Sequence, residues 1–385
     1  MMNKVGVGAI IYAVYAAIIP LNMIMNFTGA TINRYVGMLV IVVFMAEISV
    51  GKTVYLKRSA LKYLLLYIWC VLTIAWSINR NRTESQLFTF SFLIVILILS
   101  NIRDFSQKEL ELIKNSMVVS SAFIFFYLAP NLEISYSRGT LTSSAGSADA
   151  NGLAANLLFC LWIGIHLLMK SRNRLLKVFY SICCLSILGS IFSTGSRGAI
   201  LALVISAIVV SRKWIAKRLR ALTIKDAITA FLVVSLLICG VKFILHNTNV
   251  NVIERISLAA LKSDGGSGRA EIWRGVFRVM LDHPIRSIIG FGFGCEGHVC
   301  DLALGVYSGI HNVYIEYWAT TGLVGLTMVL YVFYRKVQLL RSRMLSEALL
   351  VSLMVLCVPL GFFMDKGTWN VLLLTDCDYF EKSEK

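Results

Sequence analysis

The chain has 385 residues, of which 57% are hydrophobic and 15% charged, and its mean hydropathy is +0.75. So few polar groups cannot cover a water-soluble surface, which excludes a soluble enzyme and points to an integral membrane protein. The net charge of +16 raises nucleic acid as a ligand, but the Lys and Arg clusters alternate with apolar stretches. That alternation is the pattern of cytoplasmic loops in a multi-pass protein, and no nucleic acid is expected as partner.

Eleven apolar stretches reach or approach the roughly 17 to 25 residues that a spanning helix needs. They cover 5–25, 35–51, 61–78, 87–102, 112–130, 152–169, 175–192, 198–211, 224–245, 312–334 and 345–363. The first follows only Lys4 and no small-residue cleavage site comes after it, so it reads as an uncleaved anchor. A final apolar piece, TWNVLLLT after Asp365, is too short for an ordinary span and reads as a re-entrant segment or a shortened twelfth helix. The expected fold is an all-α polytopic bundle of 11 to 12 spanning helices in a single membrane domain, 1–385.

The basic groups Lys52, Lys57, Arg58 and Lys62, then Lys170, Arg172, Arg174 and Lys177, then Arg212 to Lys225, then Arg335, Lys336, Arg341 and Arg343 are expected in short loops inside the cell. The N terminus is then cytoplasmic, and the turn ending at Arg34 and the long polar gap at 246–311 face outward. Within the gap, NVIERISLAALK reads as an amphipathic helix, and a second helix is predicted from the N-cap Ser267, with Glu271 in its first turn. On that helix Ile272, Val276, Val279 and Met280 share an apolar face, while Arg274 and Arg278 lie on a wetter one. His283-Pro284 ends it, and GFGFG follows as a flexible bend. No strand precedes those glycines, so they are not a dinucleotide or P-loop fingerprint.

Six of the nine cysteines lie in apolar runs and read as packing residues. Cys295 and Cys300 flank His298 in CEGHVC, which matches no zinc spacing; a disulfide or two free thiols is the expected state. No metal and no cofactor is called for.

Three residues stand out as candidates for chemistry. Arg197, in STGSRGAILAL, places a cation against the topological bias; either it anchors in the headgroups or, beside Thr194, Gly195, Ser196 and Gly198, it binds an anion. Arg269 opens the loop helix, where its guanidinium and the helix N terminus favour an anion together. His311, followed by Asn312, stands where the loop re-enters the membrane and can act as a general base. His166, His246, His283 and His298 have less to recommend them, and Glu271, Glu296 and Glu316 are the carboxylates next in line as bases.

Taken in order, STGSRGAILAL, SGRAEIWRGVFRVMLDHPIRSIIGFGFG and GIHNVYIEYWATTGLVGL resemble the conserved region of the O-antigen ligase and polymerase superfamily. The resemblance covers roughly 190–330, with SADANGLAANL and AWSI as weaker landmarks upstream. It implies a membrane glycosyltransferase that takes an oligosaccharide from an undecaprenyl pyrophosphate carrier and passes it to an acceptor glycan. By that resemblance Arg197, Arg269 and His311 are the functional positions; the chemistry of these residue types suits Arg197 and Arg269 to holding the pyrophosphate and His311 to catalysis, with Arg274, Asn312, Arg34 and Ser196 as secondary candidates. A flippase and a chain-length regulator are the implied protein partners. Polymerisation of surface polysaccharide is favoured over ligation to a lipid A core. A transporter or flippase is the rival class, set aside because neither inverted repeats nor a broken helix is evident in the sequence.

Overall fold

The computed structural model describes residues 5–21, 32–50, 58–131, 133–135, 138–140, 142–143, 146–147, 149–219, 268–340, 344–361 and 363–380. Helices α1 (Val7–Leu21), α2 (Ile32–Val50), α3 (Arg58–Leu72, extended by a 3-10 turn at Thr73–Trp76), α4 (Arg80–Arg103), α5 (Gln107–Asn131), α6 (Ala150–Lys170), α7 (Arg174–Ser193) and α8 (Arg197–Leu219) come first. After the undescribed stretch follow α9 (Arg269–Asp282), α10 (Pro284–Ile289), α11 (Glu296–Leu304), α12 (Val313–Leu340), α13 (Met344–Leu356) and α14 (Lys366–Phe380). Five helices are long and apolar enough to cross a membrane, and shorter apolar helices join them. The protein is a polytopic helical membrane protein. Helices stand at every predicted stretch except 224–245, which lies outside the described residues, as do NVIERISLAALK and Ser267.

The departures from an all-α chain are small. Between α5 and α6, β1 (Glu133–Ser135) pairs antiparallel with β2 (Arg138–Thr140), and β3 (Thr142–Ser143) with β4 (Gly146–Ser147). The segment after Asp365 is the helix α14, whose Val371, Leu372, Leu373 and Leu374 are fully enclosed. It is sheathed by α1, α4 and α13, and Trp369 packs edge-on against the rings of Tyr63, Phe90 and Phe363. A helix of 15 residues is too short to face lipid on its own across a bilayer, but protein walls remove that requirement.

Two basic residues expected in loops are buried in the bundle instead. Lys336, on α12, donates to Asp376 Oδ1 at 2.9 Å, to Thr375 Oγ1 at 2.6 Å and to the Leu372 carbonyl at 2.7 Å. Lys62, on α3, lies 3.5 Å from the same carboxylate, and Tyr63 donates to its other oxygen at 2.9 Å. A charge inside a membrane protein persists when its hydrogen bonds are met by protein, and α14 brings the carboxylate that meets them. A second ion cluster joins α1, α2, α4 and α5: Arg103 pairs with Glu47 and, at 2.8 Å, with Glu109, while Gly6 and Gly8 donate to those carboxylates.

One span is broken. Within α12 the backbone leaves helical geometry at Gly322, with φ 72° and ψ −176°, so the carbonyls of the preceding turn lose their helical partners. The loop supplies replacements. Phe291 N–H donates to Ala319 O and Gly292 N–H to Thr320 O, each at 2.9 Å, and the Trp69 indole donates to Thr321 O at 2.9 Å. A lipid-immersed carbonyl without a donor is costly, so this splice fixes the loop on the span. A Cβ at Gly290 would collide with the Thr320 carbonyl and one at Gly322 with that of Ile288. The GFGFG run is therefore a close-packed joint, and the flexibility expected of it is corrected.

Candidate active site at the loop end of the bundle

The loop folds as a unit with a core of its own, in which Val276 and Met280 of α9 meet Phe291, Val299, Cys300, Ile310 and Ala319. Val276 and Met280 are the buried pair, and Arg274 and Arg278 are exposed, as the helical spacing predicted. Gly268, in a left-handed conformation, is the N-cap in place of Ser267. His283 ends α9 with its ring on the Val279 carbonyl, and Pro284 begins α10. Four tryptophans fasten the unit through their indole N–H groups. Trp76 donates to Ile289 O, Trp318 to Ser287 O, Trp273 to Ile310 O, and Trp69 to Thr321 O.

CEGHVC is the N-terminal part of α11, docked on the turn between α3 and α4. Cys295 Sγ lies 3.4 Å from both Ser77 Oγ and Thr83 Oγ1, and His298 meets Asn79 at 2.8 Å. Arg82 completes the dock by donating to Gly294 O and pairing with Glu296. Cys295 and Cys300 are both free and buried. Among the described residues no three His, Cys, Asp or Glu side chains converge on a point that could hold a metal.

The predicted residues assemble through the N terminus of α6. Asp149 caps that helix, accepting from Asn151 N–H at 3.0 Å. Asn151 Oδ1 in turn accepts from Ser196 Oγ at 3.0 Å. Ser196 stands at the start of α8: its carbonyl accepts from Ile200 N–H, and its own N–H donates to Thr194 Oγ1 at 3.3 Å across Gly195, whose φ is 60°. Arg197 follows as the first residue of α8, half-buried. Gly198 packs against Pro359, so the turn after α13 abuts this corner.

His311 feels the charges of both Arg269 and Asp149. His311 is an exposed residue with φ 54°, a left-handed conformation that non-glycine residues seldom adopt. Its neighbours hold it there. The Trp273 indole grips Ile310 O, Val313 N–H donates to Cys357 O at 2.9 Å, and Asn312 caps α12 by accepting from Ile315 N–H at 3.0 Å. Partial burial, and after it the Arg269 charge, lowers the His311 pKa below its ordinary 6.5, against the opposing pull of Asp149. The imidazole is accordingly neutral at neutral pH and free to accept a proton. Both arginines sit at the first position of a helix, where the backbone dipole disfavours a cation and favours an anion. An anion bound beside them would satisfy dipole and guanidinium at once.

The remaining secondary candidates divide. Asn312 caps α12, and Ser196 bonds Asn151 through its hydroxyl. Arg274 is exposed on α9, one turn beyond Arg269. Arg34 lies apart: its guanidinium is 5.7 Å from the Phe88 ring, and its charge is felt by Lys366. Lys366 lines a cleft with about 240 Å³ of open space between α1, α4 and α14. Asp149 and Asn151 carry no role in the sequence reading, although an Asp directly before a long apolar run is a helix-start signature. Glu316 was named only as a fallback base, yet a Cβ at Gly361 would touch both its Oε2, at 2.6 Å, and His311 Cα, at 3.5 Å.

No curated protein matches the chain. Residues 182–330 match the family model described as O-antigen ligase, and this segment contains Arg197, Arg269 and His311 and ends within α12. Asn151, which bonds Ser196, and Asp149, whose charge His311 feels, lie upstream of it. The protein is a polytopic helical membrane protein whose residues 182–330 are similar to the O-antigen ligase family model.

Proposed function

We propose that the protein is a membrane glycosyltransferase that transfers an oligosaccharide from an undecaprenyl pyrophosphate carrier to an acceptor sugar, polymerising surface polysaccharide repeat units on the outer face of the cytoplasmic membrane. The observation that carries this is the grouping of a neutral imidazole with helix-terminal arginines around one polar corner, inside the segment that matches the family. The acceptor hydroxyl oxygen attacks the anomeric carbon, its proton passes to His311, and the bond from that carbon to the pyrophosphate oxygen breaks. Arg197 and Arg269 stabilise the charge that develops on the departing undecaprenyl pyrophosphate. Displacement in one step inverts the anomeric configuration. Two fixed cations meet the electrostatic requirement of a good leaving group, so the reaction proceeds without a metal.

The chain then crosses the membrane 11 to 12 times, with the N terminus in the cytoplasm and 246–311 outside. Flippase and chain-length regulator are its candidate protein partners. The family description favours a second reading, ligation onto a lipid A core. The transporter class regains a feature from the broken helix at Gly322, but the freed carbonyls there are bonded to the loop and to Trp69 instead of lining a path for an ion.

The test is turnover of a lipid-pyrophosphate oligosaccharide by purified protein in excess EDTA, with a second repeat unit or a core oligosaccharide as acceptor. Elongated product with the first acceptor is expected. Transfer only to the core sugar would replace polymerase by ligase, and an absolute, ion-specific metal requirement would remove the two-arginine mechanism. Impermeant labelling of single cysteines at positions 262 and 218 in intact cells should mark the first and spare the second; the reverse would put the site on the wrong side.

A further inference from the structure

The helix that carries Arg269 buries one apolar face in the loop core and exposes a second. Phe277 is 44% exposed, Leu281 72%, Ile285 72% and Ile288 53%; the first two are one turn apart on α9 and the last two one turn apart on α10, to either side of the break at His283. Exposed apolar residues scattered singly need no explanation, but four large apolar side chains exposed on two consecutive helices mark a contact surface. The charged residues on the same helices are Glu271, Arg274, Arg278 and Asp282, all exposed, with Arg269 and Arg286 half-buried; the Arg286 guanidinium donates to Trp76 O at 2.6 Å.

What covers the patch follows from its neighbours. Phe277 stacks edge-on against Trp318 with 5.0 Å between centroids, and the Ile288 carbonyl lies against Gly322. Both Trp318 and Gly322 belong to a helix long and apolar enough to span, and Leu323, next on that helix, is itself 46% exposed. The patch is thus continuous with the lipid-facing surface of a span. It lies at the level of Trp69, Trp76 and Trp318, the side chains that gather where hydrocarbon meets headgroups. Arg274 and Arg278, exposed on the same helix, add cations of the kind that lipid phosphates attract.

We propose that α9 and α10 form an interfacial element embedded in the bilayer leaflet on the loop side, with Phe277, Leu281, Ile285 and Ile288 among the acyl chains and Arg274 and Arg278 at the headgroup phosphates. The loop is therefore lipid-bound instead of water-borne, and the bilayer itself sets the depth of Arg269. This goes beyond the glycosyltransferase reading and does not require it.

The experiment is depth measurement by fluorescence. A bimane label is placed on Leu281→Cys, Ile285→Cys or Glu271→Cys in nanodiscs, with the wild type labelled in parallel to give the background from the native cysteines. Labels at 281 and 285 should be quenched by brominated acyl chains and protected from aqueous iodide, whereas the label at 271 should show the opposite preference. Iodide quenching of 281 and 285 without lipid quenching would overturn the proposal and leave the loop in water. So would protection from both quenchers, whether disulfide trapping of Leu281→Cys then reveals a second copy or the chain's own 220–267 segment covers the patch. No turnover enters the measurement, so a failed mechanism and a failed depth assignment are separately visible.

Discussion

The two ends of the bundle use charge in opposite ways. At the end away from the loop, Lys336 and Lys62 converge on Asp376, and Arg103 on Glu47 and Glu109, with hydroxyls and backbone groups filling the remaining positions. Opposite charges in close, hydrogen-bonded contact hold helices together. At the loop end, Arg269 depresses the basicity of His311, Arg197 sits at a helix start, and Asp149 is the carboxylate whose charge the imidazole feels. A helix N terminus favours an anion, so the same physics that builds a clamp at one end underlies the receptor proposed at the other.

The contrast is broken most sharply by exchanging the expected consequences of mutation. His311→Ala should lower turnover by about 10²- to 10⁴-fold, the usual contribution of a general base, while leaving thermal stability and donor binding near wild type. Near-normal polymer formation would move the base elsewhere, with Glu316 first in line. Asp376→Ala should act in the other sense, costing about 3 to 5 kcal/mol of stability by leaving buried lysines without their carboxylate. Thermal unfolding in detergent reads this, and residual folded protein should keep its activity per molecule. If Asp376→Ala unfolds no earlier than wild type, the clamp is not structural.

Substitutions of the arginines sharpen the receptor side with smaller effects. Arg197→Ala or Arg269→Ala should weaken binding of the lipid pyrophosphate by about 1.5 to 3 kcal/mol, the range of a charge-assisted hydrogen bond. Lysine should restore little of it, because it lacks the planar fork. Unchanged donor affinity in both variants would end the pyrophosphate assignment. The smallest effect is a shift in pH dependence. The base must be neutral, so the acidic limb of the rate profile should fall below pH 6.5. Arg269→Gln removes a repelling cation and should move that limb upward, whereas Asp149→Asn removes a stabilising anion and should move it downward. Shifts of the same sign in both variants would place the controlling group elsewhere.

Much of this was legible in the chain because its signals are local. Apolar runs located the long helices of the bundle, His283-Pro284 ended α9 where expected, and the order of the arginine and histidine motifs pointed to the family that the 182–330 match supports, whereas α10 and α11 carry no such run and were not foreseen. Other features needed partners distant in sequence. Lys62 and Lys336 looked like loop cations because their carboxylate is some 300 and 40 residues away. The GFGFG bend looked flexible because the carbonyls it bonds belong to a span broken at Gly322, and a single glycine within an apolar run carries no sign of a break.

The sequence by itself determined that this is a membrane protein, where the apolar helices of its bundle run, and which cations and imidazole stand near their ends, since hydropathy and helix-terminal chemistry are properties of short segments. Tertiary structure alone decided that Asn151 bonds Ser196 of the arginine turn beside Asp149, whose charge His311 feels, that a 15-residue helix is sheathed in the core, and that the loop is spliced into α12. Each of these depends on satisfying a buried polar or backbone group with a partner from another element, and such a partner is chosen by packing, which no local pattern encodes.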